Sequence, residues 1–151
     1  MKRFVKRSQV ALALVLCLAC TSCADADLGK VGKALTITAT AVGELQTIVL
    51  EANTQQLISD ESTREILQLS IKVSQAGKEA VVITKAISKF TEPSKLQLLQ
   101  VLTPVINSVN TLLDQGTLNI KNEATRTKVR GVLLSIQTSL SAVQLILVGG
   151  K

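Results

Sequence analysis

Apolar residues recur at alternating spacings of three and four along most of the chain beyond residue 26, and the alternation is interrupted three times. The first run is Leu28, Val31, Leu35, Thr38, Val42, Leu45, Val49 and Ala52, with Lys30, Lys33, Glu44 and Glu51 off the stripe. A period near 3.5 lays one apolar face along a helix and leaves the opposite face to solvent, so the pattern predicts a helix over about 26–55. The β-branched stretch Ile37-Thr38-Ala39-Thr40 and Gly43 give it only fair local propensity. The second run, Ile66, Leu69, Val73, Ala76, Ala80, Ile83, Ile87 and Phe90, is the most regular and predicts a helix over 61–90. Asp60 or Ser62 stands where a cap is needed, and Ser62 with Glu65 has capping-box spacing. Ala76 and Ala80, around Gly77, are small enough to admit close approach of a neighbouring helix.

A third helix is predicted over 94–115 from Leu98, Leu102, Val105, Val109 and Leu112. Ser94 with Gln97 offers its cap and Gly116 closes it, while Pro104 removes a backbone donor and predicts a kink or a restart near Thr103. The fourth, over 122–148, carries Val129, Leu133, Ile136, Leu140, Val143 and Leu147, with Asn122 as cap and Ile120 as an apolar staple before it. Arg126, Lys128 and Arg130 fall in its first turns, where the helix dipole disfavours cations, and are read as a solvated face.

Short breaks between such stripes make sequential helices antiparallel neighbours. The expected fold is all-α: an antiparallel up-down four-helix bundle made of two helical hairpins, with a left-handed coiled-coil twist. A shift of 63 positions lays Leu35 on Leu98, Val42 on Val105 and Ile66 on Val129, so the hairpins are either a duplication or two independent solutions to one pattern.

The first two dozen residues follow a different rule. Lys2, Arg3, Lys6 and Arg7 precede an apolar run from Val10 to Ala19, and Cys17, Cys20 and Cys23 crowd its end. A span needs about 20 helical residues, so this run is too short to cross a bilayer stably and reads as an export signal. With its terminal cysteine the segment resembles a bacterial lipoprotein precursor. That resemblance implies cleavage before Cys23 and acylation of its thiol with palmitate-type chains. Thr21 and Ser22 fill the small positions of the lipobox, while Cys20 stands where leucine is usual. Cys20 itself, preceded by Ala19 and Leu18, is the second choice. Ser22-Cys23-Ala24 or Ala24-Asp25-Ala26 would instead serve ordinary signal peptidase and give a secreted or periplasmic protein, and an uncleaved anchor is the remaining alternative. Ala24 rather than Asp after the cysteine implies, by the same resemblance, the outer membrane in a two-membrane cell. The expected organisation is a signal peptide over 1–22 and a bundle over 23–151.

Composition changes this picture mainly by exclusion. The formal charge of +6 comes from 17 basic and 11 acidic residues. The four basic residues of the leader account for most of it, leaving 13 against 11, or +2, and a weak case for nucleic acid. There is no His, Trp or Tyr, which removes the commonest neutral-pH acid, base and metal ligand together with most stacking surface. No metal, cofactor or enzymatic activity is expected. What is expected is a membrane-anchored helical lipoprotein of the cell envelope, prophage-type or accessory to an envelope complex. Its partners would be the membrane and an envelope protein, with homo-oligomers open. The runner-up is a membrane-active protein, since 96–113 and 131–150 contain no charged residue. A third reading places an apolar ligand at a gap around Ala76, Gly77 and Ala80.

Overall fold

The computed structural model describes residues 23–114 and 120–149, with side chains from Asp27 onward. All regular structure among them is helical: α1 (Cys23–Thr54), α2 (Asp60–Lys85), α3 (Glu92–Asp114) and α4 (Glu123–Gly149). The backbones pack in a cyclic order, α1 on α2, α2 on α3, α3 on α4 and α4 on α1, and no comparable approach links α1 with α3 or α2 with α4. Four stripes facing one shared centre produce that arrangement, because each helix can bury its apolar face only between two neighbours.

Most residues of the stripes read from the sequence are in the core; Leu28 and Ile87 are only half-buried, and Ala34, Ala41, Ile106 and Val132 are buried beside the stripes. Val31, Leu45, Val49, Ile66, Ala80, Leu98, Val109, Val129, Leu133, Ile136 and Val143 are fully buried. Thr38, the polar member of the first stripe, is buried as well, and its hydroxyl donates to the Ala34 carbonyl at 3.0 Å. Thr36, Thr40, Thr47 and Thr54 each bond the carbonyl four residues back. These bonds satisfy the hydroxyls within the helix, so α1 runs unbroken through its β-branched stretch and Gly43. No described buried side-chain nitrogen or oxygen lacks a hydrogen-bond partner.

The helix ends depart from expectation at several points. α1 stops in a Schellman turn: Leu57 N–H donates to the Ala52 carbonyl at 2.8 Å, Gln56 N–H to that of Asn53 at 2.9 Å, and Gln56 takes φ 58°. The cap of α2 is neither Asp60 nor Ser62 but Ser59, whose Oγ accepts from Ser62 N–H at 3.2 Å. Asp60 instead accepts from Asn53 Nδ2 at 2.8 Å across the turn. α2 ends at Lys85 rather than 90; Ala86 N–H is shared between the carbonyls of Val82 and Ile83, and Phe90 reaches the core from the connection. The apolar period continues there although the helical backbone does not.

α3 begins at Glu92, earlier than 94, because Thr91 is its cap: Ser94 N–H donates to Thr91 Oγ1 at 3.4 Å and Thr91 N–H to Ser94 Oγ at 2.9 Å. It runs through Pro104 without restarting at Thr103, with Pro104 exposed on its outer side. Asn122 caps α4 as expected, accepting from Thr125 N–H at 2.9 Å, and Ile120 is buried in the core. Gly116 lies outside the described residues.

The 63-position shift carries over to the structure in part. It lays the cap Ser59 on the cap Asn122, and the buried residues Ile66, Leu69, Val73 and Ala80 on Val129, Val132, Ile136 and Val143, all buried. In the first helices it matches Leu35 with Leu98 and Val42 with Val105, but sets buried Ala41 against exposed Pro104.

Candidate functional site

Cys23, the residue the leader singles out, is the first residue of α1. Its side chain, Cys20, Cys17 and the whole 1–22 segment lie outside the described residues. The helix therefore starts at the cysteine with no intervening loop, and the core begins at Val31, two turns further on.

The helix surfaces among the described residues include three grooves. One, of about 370 Å³, lies between α1 and α2; its floor is Leu35, Val42, Val73 and Gly77, and its rim includes Lys78 and Val82. Its lining is almost wholly apolar. Gly77 itself does not serve close packing, because a Cβ added there meets nothing within 4 Å. Ala76 and Ala80 point into the core, so the gap is an outward groove and not a cavity within the bundle.

A second groove, about 410 Å³ and polar, runs between α2 and α3 past Glu65, Lys72, Asn107 and Thr111. The third lies between α1 and α4, where Glu44 and Lys128 flank Ile48, Gly131 and Ser135. Arg126, Lys128 and Arg130 are exposed, and this groove gives Lys128 a carboxylate neighbour rather than a concentrated cationic field.

Among the described residues, metal-ligating side chains do not converge. The carboxylates from Glu44 to Glu123 are exposed; Glu92 pairs with Lys95 at 3.1 Å on its own helix, and Asp60 accepts from Asn53 across the turn. Among the described residues no three Asp, Glu or Cys side chains are placed to hold a metal ion. What the surface does concentrate is apolar area. Leu145 is 72 % exposed, Val82 67 %, Val148 63 % and Leu96 58 %, and each lies within about a turn of a helix end. Sequence pattern missed these four because each is a single departure from an otherwise regular stripe, which a periodic reading treats as noise.

α3 and α4 are each long and apolar enough to cross a membrane, with mean hydropathy 1.2 and 1.8 over their most apolar windows. A third or more of each window is buried inside the bundle, as expected of core helices. No family model, curated protein or solved structure matches the chain.

Proposed function

We propose that the chain is a small non-enzymatic lipoprotein of the bacterial cell envelope, anchored through Cys23 and serving as a helical protein-interaction or structural scaffold, of the prophage type or as an accessory of an envelope complex. The observation that carries this reading is the coincidence of two features at one residue: the cysteine that ends the export-like leader is also where α1 begins. A lipid on that thiol would join the folded unit to the bilayer with no spacer.

The scaffold is read as an up-down bundle of two antiparallel hairpins. Two grooves support this. Glu65, near the start of α2, shares one with Leu112 near the end of α3, and Ile48, near the end of α1, shares one with Lys128 near the start of α4. Each sets the end of one helix beside the start of a neighbour.

Intact-mass analysis of the protein isolated from membranes tests the anchoring. A chain beginning at Cys23 and carrying acyl chains is the expected species, and it is lost in Cys23→Ser but not in Cys20→Ser. An unmodified N-terminus at Ala24 or beyond would refute the anchor. Pulldown of the anchored protein should bring an envelope protein with it; recovery of this chain alone would count against the scaffold role.

The second reading, a membrane-active protein, draws on the length and hydropathy of α3 and α4. Gln137, Thr138, Ser139, Ser141 and Gln144 within α4 fit a bundle better than hydrocarbon. Alkaline extraction of the Cys20→Ser/Cys23→Ser chain separates the two: retention in the membrane pellet favours spanning helices, release favours the anchored bundle.

A further inference from the structure

The four most exposed large apolar side chains share one end of the molecule in the up-down arrangement, on which this inference rests. Val82 is in the last turn of α2 and Leu96 follows the first turn of α3, so the connection over 86–91 holds them at the same end whatever the rest of the topology. Leu145 and Val148 close α4. Antiparallel packing of α4 on α3 and on α1 brings them to that end too, beside the start of α1 at Cys23. Among the described residues near the opposite helix ends, the one exposed large apolar side chain is Leu50, which is less exposed than any of the four.

Charge follows the same division. Around the apolar end Lys33, Lys78, Lys85 and Lys89 are exposed and form no ion pair with any described residue. Lys30 and Lys95 are held by Asp27 at 3.0 Å and Glu92 at 3.1 Å, which leaves Glu79 as the one described carboxylate in that half outside an ion pair. The six lysines and three carboxylates give +3, while Asp25 and Lys151 cancel. The other half sets Glu44, Glu51, Glu61 and three further carboxylates, with Asp114, against six cations, for −1.

From this juxtaposition we infer that the end of the bundle from which α1 emerges is a docking face for an anionic lipid surface, with Val82, Leu96, Leu145 and Val148 entering the headgroup layer and Lys85 and Lys89 pairing with lipid phosphates. Exposed aliphatic groups ringed by lysine are the two ingredients of interfacial binding: apolar area partitions into the acyl boundary, and each lysine adds attraction to anionic headgroups. A second copy of the chain is a poorer fit, since two faces of the same positive sign would meet. Because α1 starts at Cys23 without a loop, an acyl chain there would hold this face, and no other, against the bilayer. The lipid anchor and the docking face would then act as two signals, one hydrophobic and one electrostatic.

The test uses residues 24–151, which contain every core side chain from Val31 to Leu147 and so fold without the leader or any cysteine. Co-sedimentation is measured with vesicles of phosphatidylcholine alone and of phosphatidylcholine mixed with phosphatidylglycerol. The expected result is binding to the mixed vesicles only, weakened by salt. Lys85→Gln/Lys89→Gln should weaken it by roughly thirtyfold, from about a fivefold contribution per lysine. Leu145→Ser/Val148→Ser should weaken it as well, while the opposite-end pair Lys128→Gln/Arg130→Gln leaves it unchanged. Absence of binding by a chain whose circular dichroism is helical would overturn the proposal. So would equal loss in the Lys128/Arg130 variant, or sedimentation as a dimer that Leu145→Ser/Val148→Ser abolishes. Because this protein carries no lipid, failure here leaves the acylation of Cys23 standing, and an unacylated mass for the membrane protein would leave this result standing.

Discussion

Gln137 of α4 donates from Nε2 to Oδ1 of Asn110 on α3 at 2.7 Å, a side-chain hydrogen bond joining two helices within an otherwise apolar seam. Both residues are half-buried, so losing one leaves the other incompletely satisfied at low dielectric. Gln137→Ala or Asn110→Ala should each cost about 1 kcal/mol in urea unfolding, whereas Asn110→Leu/Gln137→Leu together should be nearly neutral. A double-mutant cycle that finds no coupling would remove the bond from the account of how α3 and α4 are aligned.

Gln56 pays a conformational penalty that the rest of its turn requires. Its φ of 58° places a side chain in the left-handed region, which costs an L-residue roughly 1–2 kcal/mol. The two Schellman bonds to Ala52 and Asn53 hold it there. Gln56→Gly relieves the strain and should raise stability by about 0.5–1 kcal/mol after the added freedom of the unfolded chain is deducted. A fall in the urea midpoint would contradict the turn geometry.

The contrast between these turns and the core explains what the sequence discloses. Helix faces follow from periodicity, and most of the buried set from Val31 to Leu147 is named by the stripes, because one buried face per helix is a constraint repeated every turn; Ala34, Ala41, Ile106 and Val132 widen that face beyond the strict period. Ends are decided by single side chains. Ser59 rather than Ser62, and Thr91 rather than Ser94, were hidden because each connection holds several residues with equal capping chemistry. Phe90 continues the apolar period from a non-helical connection, which no periodic argument can separate from another turn of helix. The proposed docking face was illegible for a different reason: Leu96 and Leu145 are far apart in sequence, and only the up-down packing proposed above brings them to one end.

The caps Ser59 and Asn122 occupy matching places in the two halves and do the same work, each taking the N–H of the residue three positions on. Ser59→Ala and Asn122→Ala should each cost about 1 kcal/mol. Glu65→Ala discriminates between the caps, because a box built on Ser62 would need that carboxylate, yet Glu65 is exposed and bonded to no described residue. It should change stability by less than about 0.5 kcal/mol. A Glu65→Ala cost as large as that of Ser59→Ala would return the cap to Ser62.

Gly77 offers the sharpest separation between two readings of the same small residue. If it were needed for helix approach, any added methyl would collide with α1; the geometry instead leaves open space where its Cβ would stand, above the floor of the apolar groove. Its backbone is ordinary right-handed helix within α2, so no left-handed φ demands glycine either. Gly77→Ala should therefore raise stability by about 0.5–1 kcal/mol, the usual cost of glycine inside a helix. Gly77→Leu extends the comparison: its side chain would cover Leu35 and Val42 within the groove, so the chain should stay folded and stability should not fall below that of the parent. Thermal unfolding of both variants decides the matter, since a close-packed helix contact would make alanine destabilising and leucine worse, while an open groove gives the opposite order relative to the parent.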